Sequence, residues 1–489
     1  MNIKLPVDFI NRMKEQLGDE YESFLAAYED SNYHGLRINP LKDGDVEKVK
    51  SYFTDRPVPW CKTGYYYEEE LRPGRHPYHH AGAYYIQEPS AMLVGELADV
   101  RPGMRVLDLC AAPGGKTSHL AGGLKGKGVL VANEIVPNRA KILSQNVERM
   151  GIRNCIVTNE DPDRLATACT GYFDVVVVDT PCSGEGMFRR DEIARDEWST
   201  DNVAMCAERG REILEAAGRM LKYGGKLVYS TCTFAPAEDE MAIATFMESH
   251  PEYRIEKVEL SPVDGAQSED GWPDPGRSEW SGRELEGIEY TFRLWPHKLH
   301  GEGHYVAVLR RGEAQDDFEA SYMENETKAD KKKNDKKNQD KGLDAALRLF
   351  KEWASKSLTR ECIDSLDGEY ILFGDNLYLL PAGGPRLGRL RIERAGLQLG
   401  IIKKDRFEPS HALAMALGCS DVKMSHNMEL SSDEDEIQAV KYLKGETIAC
   451  DNGLNGWTLV SFDGYSTGWG KASGGMLKNH YPKGLRIMM

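Results

Sequence analysis

The sequence predicts an α/β fold: a doubly wound, mainly parallel sheet across residues 81–312, with smaller α+β pieces on either side. Three observations predict it. Short, largely apolar runs recur at 104–109, 128–134, 154–160, 173–179, 225–231 and 304–311, as buried parallel strands require. Segments with helical spacing of apolar residues alternate with them, most clearly PNRAKILSQNVERM at 137–150, and such alternation packs as a sheet with helices on both faces. The ends of successive strands carry small or acidic residues, where open α/β sheets bind their ligands.

Taken in order, residues 1–80 form an N-terminal α+β piece. It has an amphipathic start, then GLRINPLK and a Tyr/Pro-rich stretch. The sheet domain follows at 81–312. Residues 313–342 turn polar and charged, ending in KADKKKNDKKNQDKG, and read as a solvated, flexible linker. A nucleic-acid-binding tail is the alternative, although Asp330, Asp335 and Asp340 interrupt its lysines. Residues 343–430 and 431–489 read as two small α+β units, the second ending in the basic, glycine-rich KASGGMLKNHYPKGLR.

Composition narrows the function classes. A chain of 489 residues exceeds one ordinary domain. Hydrophobic residues make up 40% and mean hydropathy is -0.53, the profile of a soluble globular protein. No run reaches the length of a membrane span, and MNIKLPVDFI lacks the pattern of a signal peptide. The 10 cysteines include no C-x-x-C pair and no Cys/His metal spacing. The expectation is a cytoplasmic protein with reduced thiols and no metal site. A net charge of -16 disfavours indiscriminate nucleic-acid binding, so any such contact must rest on local basic patches.

The stretch LDLCAAPGGKTSHL (107–120) contains GGKT, which invites comparison with a phosphate-binding loop. The first glycine of that pattern would fall at Cys110. Pro113 removes a backbone donor, and Asp108 brings the wrong charge to a polyphosphate. The G-x-G-x-x-G turn of dinucleotide sites is also absent. The loop suits an adenosine cofactor without a pyrophosphate, and S-adenosylmethionine fits, with its sulfonium near Asp108. The expected contacts are Cys110, Ala111, Ala112, Pro113, Gly114, Gly115 and Lys116, where small residues let the backbone approach the ligand. Glu134 lies twenty residues beyond Gly114, the spacing at which an acidic group accepts ribose hydroxyls. Asp161 is placed to receive the adenine amino group, and Asp179 ends the fourth strand. An acidic residue after a strand is also a common helix cap.

Two cysteines suggest the chemistry. DTPCSGEGMFRR (179–190) and STCTFAPAEDE (230–240) place Cys182 and Cys232 a few residues past strands, in turn-like polar settings. Cys155 and Cys206 lie inside strand and helix patterns, as structural cysteines do. A thiol beside a methyl donor suits methylation of carbon 5 of a pyrimidine. A thiolate added at carbon 6 pushes electron density to carbon 5, and a base later removes the carbon-5 proton so that the thiol is expelled. A carboxyl group at the ring nitrogen assists by donating or sharing a proton. Asp179 is the candidate, and the donor role requires burial to raise its pKa.

LDLCAAPGGKT, DTPCSGEG and STCTFAPAEDE, together with YIQEPSAM (85–92) and RLWPHKLHGEGHYVAVLR (293–310), resemble the motifs of the Nol/Nop/Sun RNA 5-methylcytosine methyltransferases. The whole layout resembles the bacterial RsmF-type members, which methylate small-subunit (16S) ribosomal RNA. The resemblance implies a Rossmann-like, S-adenosylmethionine-dependent methyltransferase core, an N-terminal RNA-binding subdomain and a PUA-like RNA-binding end. It assigns the nucleophile to Cys232 and product release to Cys182, a choice that the residues alone leave open. It also implies cofactor contacts from 110–116, Glu134, Asp161 and Asp179. Relatives often read D-G-R or D-A-R at Asp161-Pro162-Asp163-Arg164, so Asp163 is the fallback there.

RNA contacts are expected from Arg189 and Arg190, from PRLGRLRIERAGLQLG (385–400) with its four arginines, and from the tail 471–489, which holds four basic residues, Lys471 among them, and no acidic ones. Trp469 and Tyr481 suit base stacking or a core. The expected substrate is 16S rRNA or the small subunit, the expected state a monomer. Transfer RNA as substrate, and a non-catalytic ribosome assembly factor, are the competing readings. If the C-terminal units serve RNA alone, deleting 343–489 weakens RNA binding and leaves cofactor affinity unchanged.

Overall fold

The computed structural model describes residues 4–29, 32–313, 336–385, 388, 390–434 and 436–487. The N-terminal piece opens with the helix Val7–Leu17, which buries Phe9, Met13 and Leu17, one face at i, i+4, i+8 spacing. A three-stranded antiparallel sheet follows, in which β1 (His34–Ile38) lies between β2 (Gly64–Tyr67) and β3 (Tyr84–Ile86). β3 lies beyond residue 80, so this unit reaches into the segment expected to open the sheet domain.

The central sheet is built from β4 (Arg105–Asp108), β5 (Val129–Asn133), β6 (Cys155–Thr158), β7 (Phe173–Asp179) and β8 (Leu221–Thr231), all parallel. Their Val-rich runs are buried on both faces, beneath helices such as Gly115–Leu124 and Thr200–Met220. Three short strands, β9 (Tyr253–Ile255), β10 (Asp274–Pro275) and β11 (Phe292–Leu294), and the long β12 (His304–Arg311) extend the sheet beyond β8. β12 runs antiparallel to β8. β4 pairs with both β5 and β7, so the strand order reverses there, and the crevice at the strands' carboxyl ends opens at that point.

β13 (Glu369–Phe373), β14 (Asn376–Leu380), β16 (Leu397–Lys403) and β17 (Arg406–Pro409) form a four-stranded sheet. Between β14 and β16, β15 (Ile392–Ala395) leaves that sheet and pairs antiparallel with β6 at the edge of the central sheet. The last unit holds β18 (Asn427–Leu430), β19 (Ile448–Ala449), β20 (Gly456–Phe462), β21 (Tyr465–Ser473) and β22 (Met476–Asn479) in one sheet. β18 precedes the expected boundary at 431. The expected linker lies mostly outside the described residues, and its C-terminal end is helical, in Lys336–Ser357.

The outer units are not independent. Leu36, Val49, Phe53 and Tyr78 of the N-terminal piece share one buried cluster with Met428, Tyr442, Phe462 and Tyr481 of the last unit. Tyr78 donates to Asp463 at 2.7 Å, and Lys48 pairs with Asp463 at 3.0 Å. Arg394 on β15 is buried against Glu148 at 3.0 Å. Among the described residues no helix is long and apolar enough to cross a membrane.

Candidate active site

Past β4 the chain turns through Leu109–Gly114 into the helix Gly115–Leu124. Gly114 sits at φ +116°, a backbone conformation closed to side chains, and starts that helix. Asp108 is fully buried beneath the loop, accepts from the Thr117 hydroxyl at 2.6 Å, and has its pKa raised to about 7 by burial. It does not line the crevice. Its expected place beside a sulfonium is therefore corrected: it ties the helix start to the strand end.

The crevice encloses about 600 Å³. Of the expected cofactor residues, Cys110, Ala112, Glu134, Asp161 and Asp179 line it, while Ala111, Pro113, Gly114, Gly115 and Lys116 are not part of its lining. Glu134 is buried, with one oxygen accepting from the Val136 amide at 2.9 Å and the other 3.4 Å from Arg139. Asp161 caps the helix Pro162–Ala168, and both amide bonds fall on its Oδ1. It is thus a helix cap and a crevice residue at once, and its neighbour Asp163, in the first turn of that helix, also lines the crevice. Ile135 and Val136 escaped the sequence reading. They line the crevice directly after Glu134 and are 54% and 43% exposed, so they offer an apolar wall for a flat ring. An apolar pair following an acidic strand end was the available signal.

The two cysteine loops leave neighbouring strands side by side, because β7 and β8 pair with Asp179 opposite Ser230. The Cys182 and Cys232 sulfurs are 3.3 Å apart, and the Cys232 amide donates to the Cys182 sulfur at 3.3 Å. Both cysteines line the crevice. The neighbouring Cys232 sulfur and burial push the Cys182 thiol well up. The loops are locked together behind the sulfurs. Ser183 and Thr233 hydroxyls lie 2.8 Å apart, and Glu238 accepts from the Ser183 amide at 2.9 Å and hydroxyl at 2.5 Å. The acidic run of STCTFAPAEDE is therefore internal: Glu238, Asp239 and Glu240 are buried, with Asp239 and Glu240 paired to Arg293.

Asp179 is clamped from three sides. Its Oδ2 accepts from Lys116 at 2.7 Å, its Oδ1 from Ser230 at 2.8 Å, and His304 Nε2 lies 3.5 Å from Oδ1. Burial alone would raise its pKa, but Lys116 and His304 outweigh that and hold it well below the usual carboxylate range. The expected proton-donor form is thereby corrected: Asp179 stands as a carboxylate. Neither Lys116 as its ion partner nor His304 was read from the sequence, since both come close only through the fold.

Several expected RNA contacts are structural instead. Arg189 is buried, reaching Glu302 at 2.7 Å and the carbonyls of Ala27 and Gly301 at 2.8 and 2.9 Å. Arg190 also binds Glu302, at 2.8 Å, and the Tyr33 carbonyl. Of the 385–400 arginines, Arg394 is buried, Arg391 is exposed with its backbone bonded beside β6, and Arg386 and Arg389 lie outside the described residues. Trp469 and Tyr481 are core residues. Lys471, Lys478 and Lys483 remain exposed. Cys155 and Cys206 are buried. Away from the crevice, Cys61, Glu96 and His119 bring metal-ligand atom types within 4.8 Å of one another. Glu96 accepts there from the Lys62 amide at 3.1 Å and meets His119 Nε2 at 3.3 Å.

Comparison with known proteins bears on the whole chain. The 16S rRNA methyltransferase RsmB/F family matches residues 96–310, and the N-terminal domain of 16S rRNA methyltransferase RsmF matches 5–89. The RsmF first C-terminal domain matches 352–417 and the RsmF PUA domain 427–487. Ribosomal RNA small subunit methyltransferase F of Shewanella woodyi is 31% identical, covering 99% of this chain and 97% of its own. Its Vibrio vulnificus counterpart is 29% identical over 99% and 98%. Among solved structures, a methyltransferase homologue from Pyrococcus horikoshii superposes with TM-score 0.54 at 28% identity, over 62% of this chain and 94% of that one. NSun6 of the same organism, solved with SFG, shares the fold at TM-score 0.54 and 18% identity, over 64% and 100%.

Proposed function

Because the chain belongs to the ribosomal RNA small subunit methyltransferase F family, and so is an S-adenosylmethionine-dependent methyltransferase of 16S ribosomal RNA, we propose that it methylates carbon 5 of a cytosine through a covalent bond from Cys232. The observation that carries the reading is the pair of sulfurs 3.3 Å apart, beside a clamped carboxylate at the mouth of the cofactor crevice.

The crevice fits the cofactor. Glu134 offers a buried carboxylate for ribose hydroxyls, Ile135 and Val136 an apolar wall, and Asp161 an acceptor for an amino group. Bound S-adenosylmethionine supplies the methyl group. The target cytosine has to leave its stack to reach the sulfurs. Cys232 then forms the bond to carbon 6, and after methyl transfer a base has to take the carbon-5 proton so that the carbon 6–sulfur bond breaks. Cys182, 3.3 Å from the Cys232 sulfur, is placed to assist that release. Asp179, ionised, accepts from the cytosine amino group, and the Lys116–Asp179 pair is the nearest place to exchange the ring-nitrogen proton. The exposed Lys471, Lys478 and Lys483 support RNA contact by the last unit. On this reading the enzyme works in the cytoplasm as a monomer on small-subunit RNA.

The test is Cys232→Ala with the full-length protein. Methyl transfer to cytosine in 16S ribosomal RNA should vanish while S-adenosylmethionine binding persists. Retained transfer would overturn the assignment.

A further inference from the structure

We infer that His304 is a positioning residue for the reaction: it acts through Asp179, holding that carboxylate in place beside Cys182 and Cys232. The inference rests on the reading of Asp179 given above.

His304 is placed by several independent constraints. It opens β12, whose register sets Tyr305 opposite Thr231, so His304 falls across from Cys232 at the end of the ladder. The turn before it needs glycine. Gly303 sits at φ +125°, and a Cβ there would lie 2.5 Å from the Phe234 ring, while a Cβ on Gly186 of the other cysteine loop would lie 2.8 Å from the Gly303 carbonyl. The amides of Glu302 and Gly303 are held by Glu88 at 2.9 Å and the Ser90 hydroxyl at 3.4 Å. The two cysteine loops and the start of β12 therefore form one packed unit.

Within that unit His304 is 4% exposed, and its Nε2 is buried with no hydrogen bond satisfied, 3.5 Å from Asp179 Oδ1. An orphaned imidazole nitrogen is costly in a core unless it serves the group it faces. Lys116 takes the other carboxylate oxygen and Ser230 shares Oδ1. Without His304 the carboxylate keeps two attachments and gains freedom to turn away from the sulfurs. Reaction geometry tolerates little such freedom.

Two replacements separate positioning from filling space. His304→Gln retains an N–H able to reach Asp179, whereas His304→Phe fills the volume with no donor. With 16S ribosomal RNA, Gln should keep kcat within about fivefold of the parent, and Phe should lower it by roughly one to two orders of magnitude, the range for groups that orient a reacting side chain. S-adenosylmethionine affinity should hold in both. In an Asp179→Asn background the Phe replacement should cost nothing further. Equal activity of the Phe and Gln variants, or loss of cofactor binding in both, would overturn the proposal. An Asp179→Asn variant with full activity would instead overturn the reading of Asp179 itself.

Discussion

The Cys182 and Cys232 sulfurs lie 3.3 Å apart, and the Cys232 amide donates to the Cys182 sulfur. This contact makes the two thiols unequal. The neighbouring sulfur and burial push the Cys182 thiol up, which disfavours its thiolate and so its use in attack, while its place beside the Cys232 sulfur suits it to release. Cys182→Ala should therefore leave bond formation intact and block release, so that a covalent protein–RNA species accumulates on denaturing gels. Cys182→Ala combined with Cys232→Ala should abolish it. An adduct that survives the double replacement, or none in the single one, would contradict this division of labour.

Arg189 and Arg190 give a prediction opposite to the one their sequence position suggests. Following a catalytic loop, they read as phosphate contacts, yet Glu302 and the backbone carbonyls of Ala27, Tyr33 and Gly301 occupy them. Removing Arg189 leaves Glu302 short of a partner inside the core. Arg189→Ala should thus lower stability by about 3 kcal/mol or more in denaturant titrations. The slope of RNA affinity against salt should not change, whereas loss of a phosphate contact would reduce it by about one.

These arginines mark the limit of what the chain discloses. The core strands, their parallel order and the crevice were legible because a buried strand must be an apolar run and ligands gather at its carboxyl end. Cys182, Cys232, Glu134 and Asp161 line the crevice. What failed was charge state and exposure. Asp179 lies at the predicted point but is ionised, because Lys116 and His304 arrive from distant segments. Arg394 and Trp469 look like an RNA surface and are buried, because the units between which they lie share interfaces invisible to local composition.

Glu238 supplies a pH dependence. Burial raises its pKa from 4.5 to about 7. A carboxyl raised in the folded state stabilises while protonated: its contribution is full below 4.5 and is lost as pH rises through about 7. The amount at stake is on the order of 3 kcal/mol. Asp108, also raised to about 7, acts with the same sign. Glu238→Gln should therefore lose less stability than the parent between pH 5 and pH 8, compared through urea midpoints. An identical loss in parent and variant would show that Glu238 does not titrate in this range.

The exposed lysines of the last unit lead to a different outcome. Lys471 and Lys478 face each other across β21 and β22, and Lys483 follows on the same chain end. Replacing all three by alanine should weaken RNA binding and make its salt dependence shallower, by up to about one in slope per lysine. Cofactor affinity and thermal stability should hold, since none of the three is buried. Unchanged RNA affinity would remove this face from the interface.

Deleting 343–489 outright is a poorer probe of RNA binding than the sequence suggests. β15 covers the outer edge of β6, and the Asn159 amide bonds the Arg391 carbonyl at 2.9 Å while the Arg391 amide bonds Glu160 at 2.6 Å. Asp161 follows directly, so the deletion frees the loop that carries this crevice residue, the one proposed to meet the adenine amino group. It also uncovers the cluster in which Tyr78, Phe53 and Leu36 pack on Phe462 and Tyr481, and an uncovered strand edge invites association. The expected result is weaker S-adenosylmethionine binding by calorimetry, together with aggregation, and not a loss confined to RNA. A soluble truncated protein with the parent's cofactor affinity would show that the C-terminal units add nothing to the crevice.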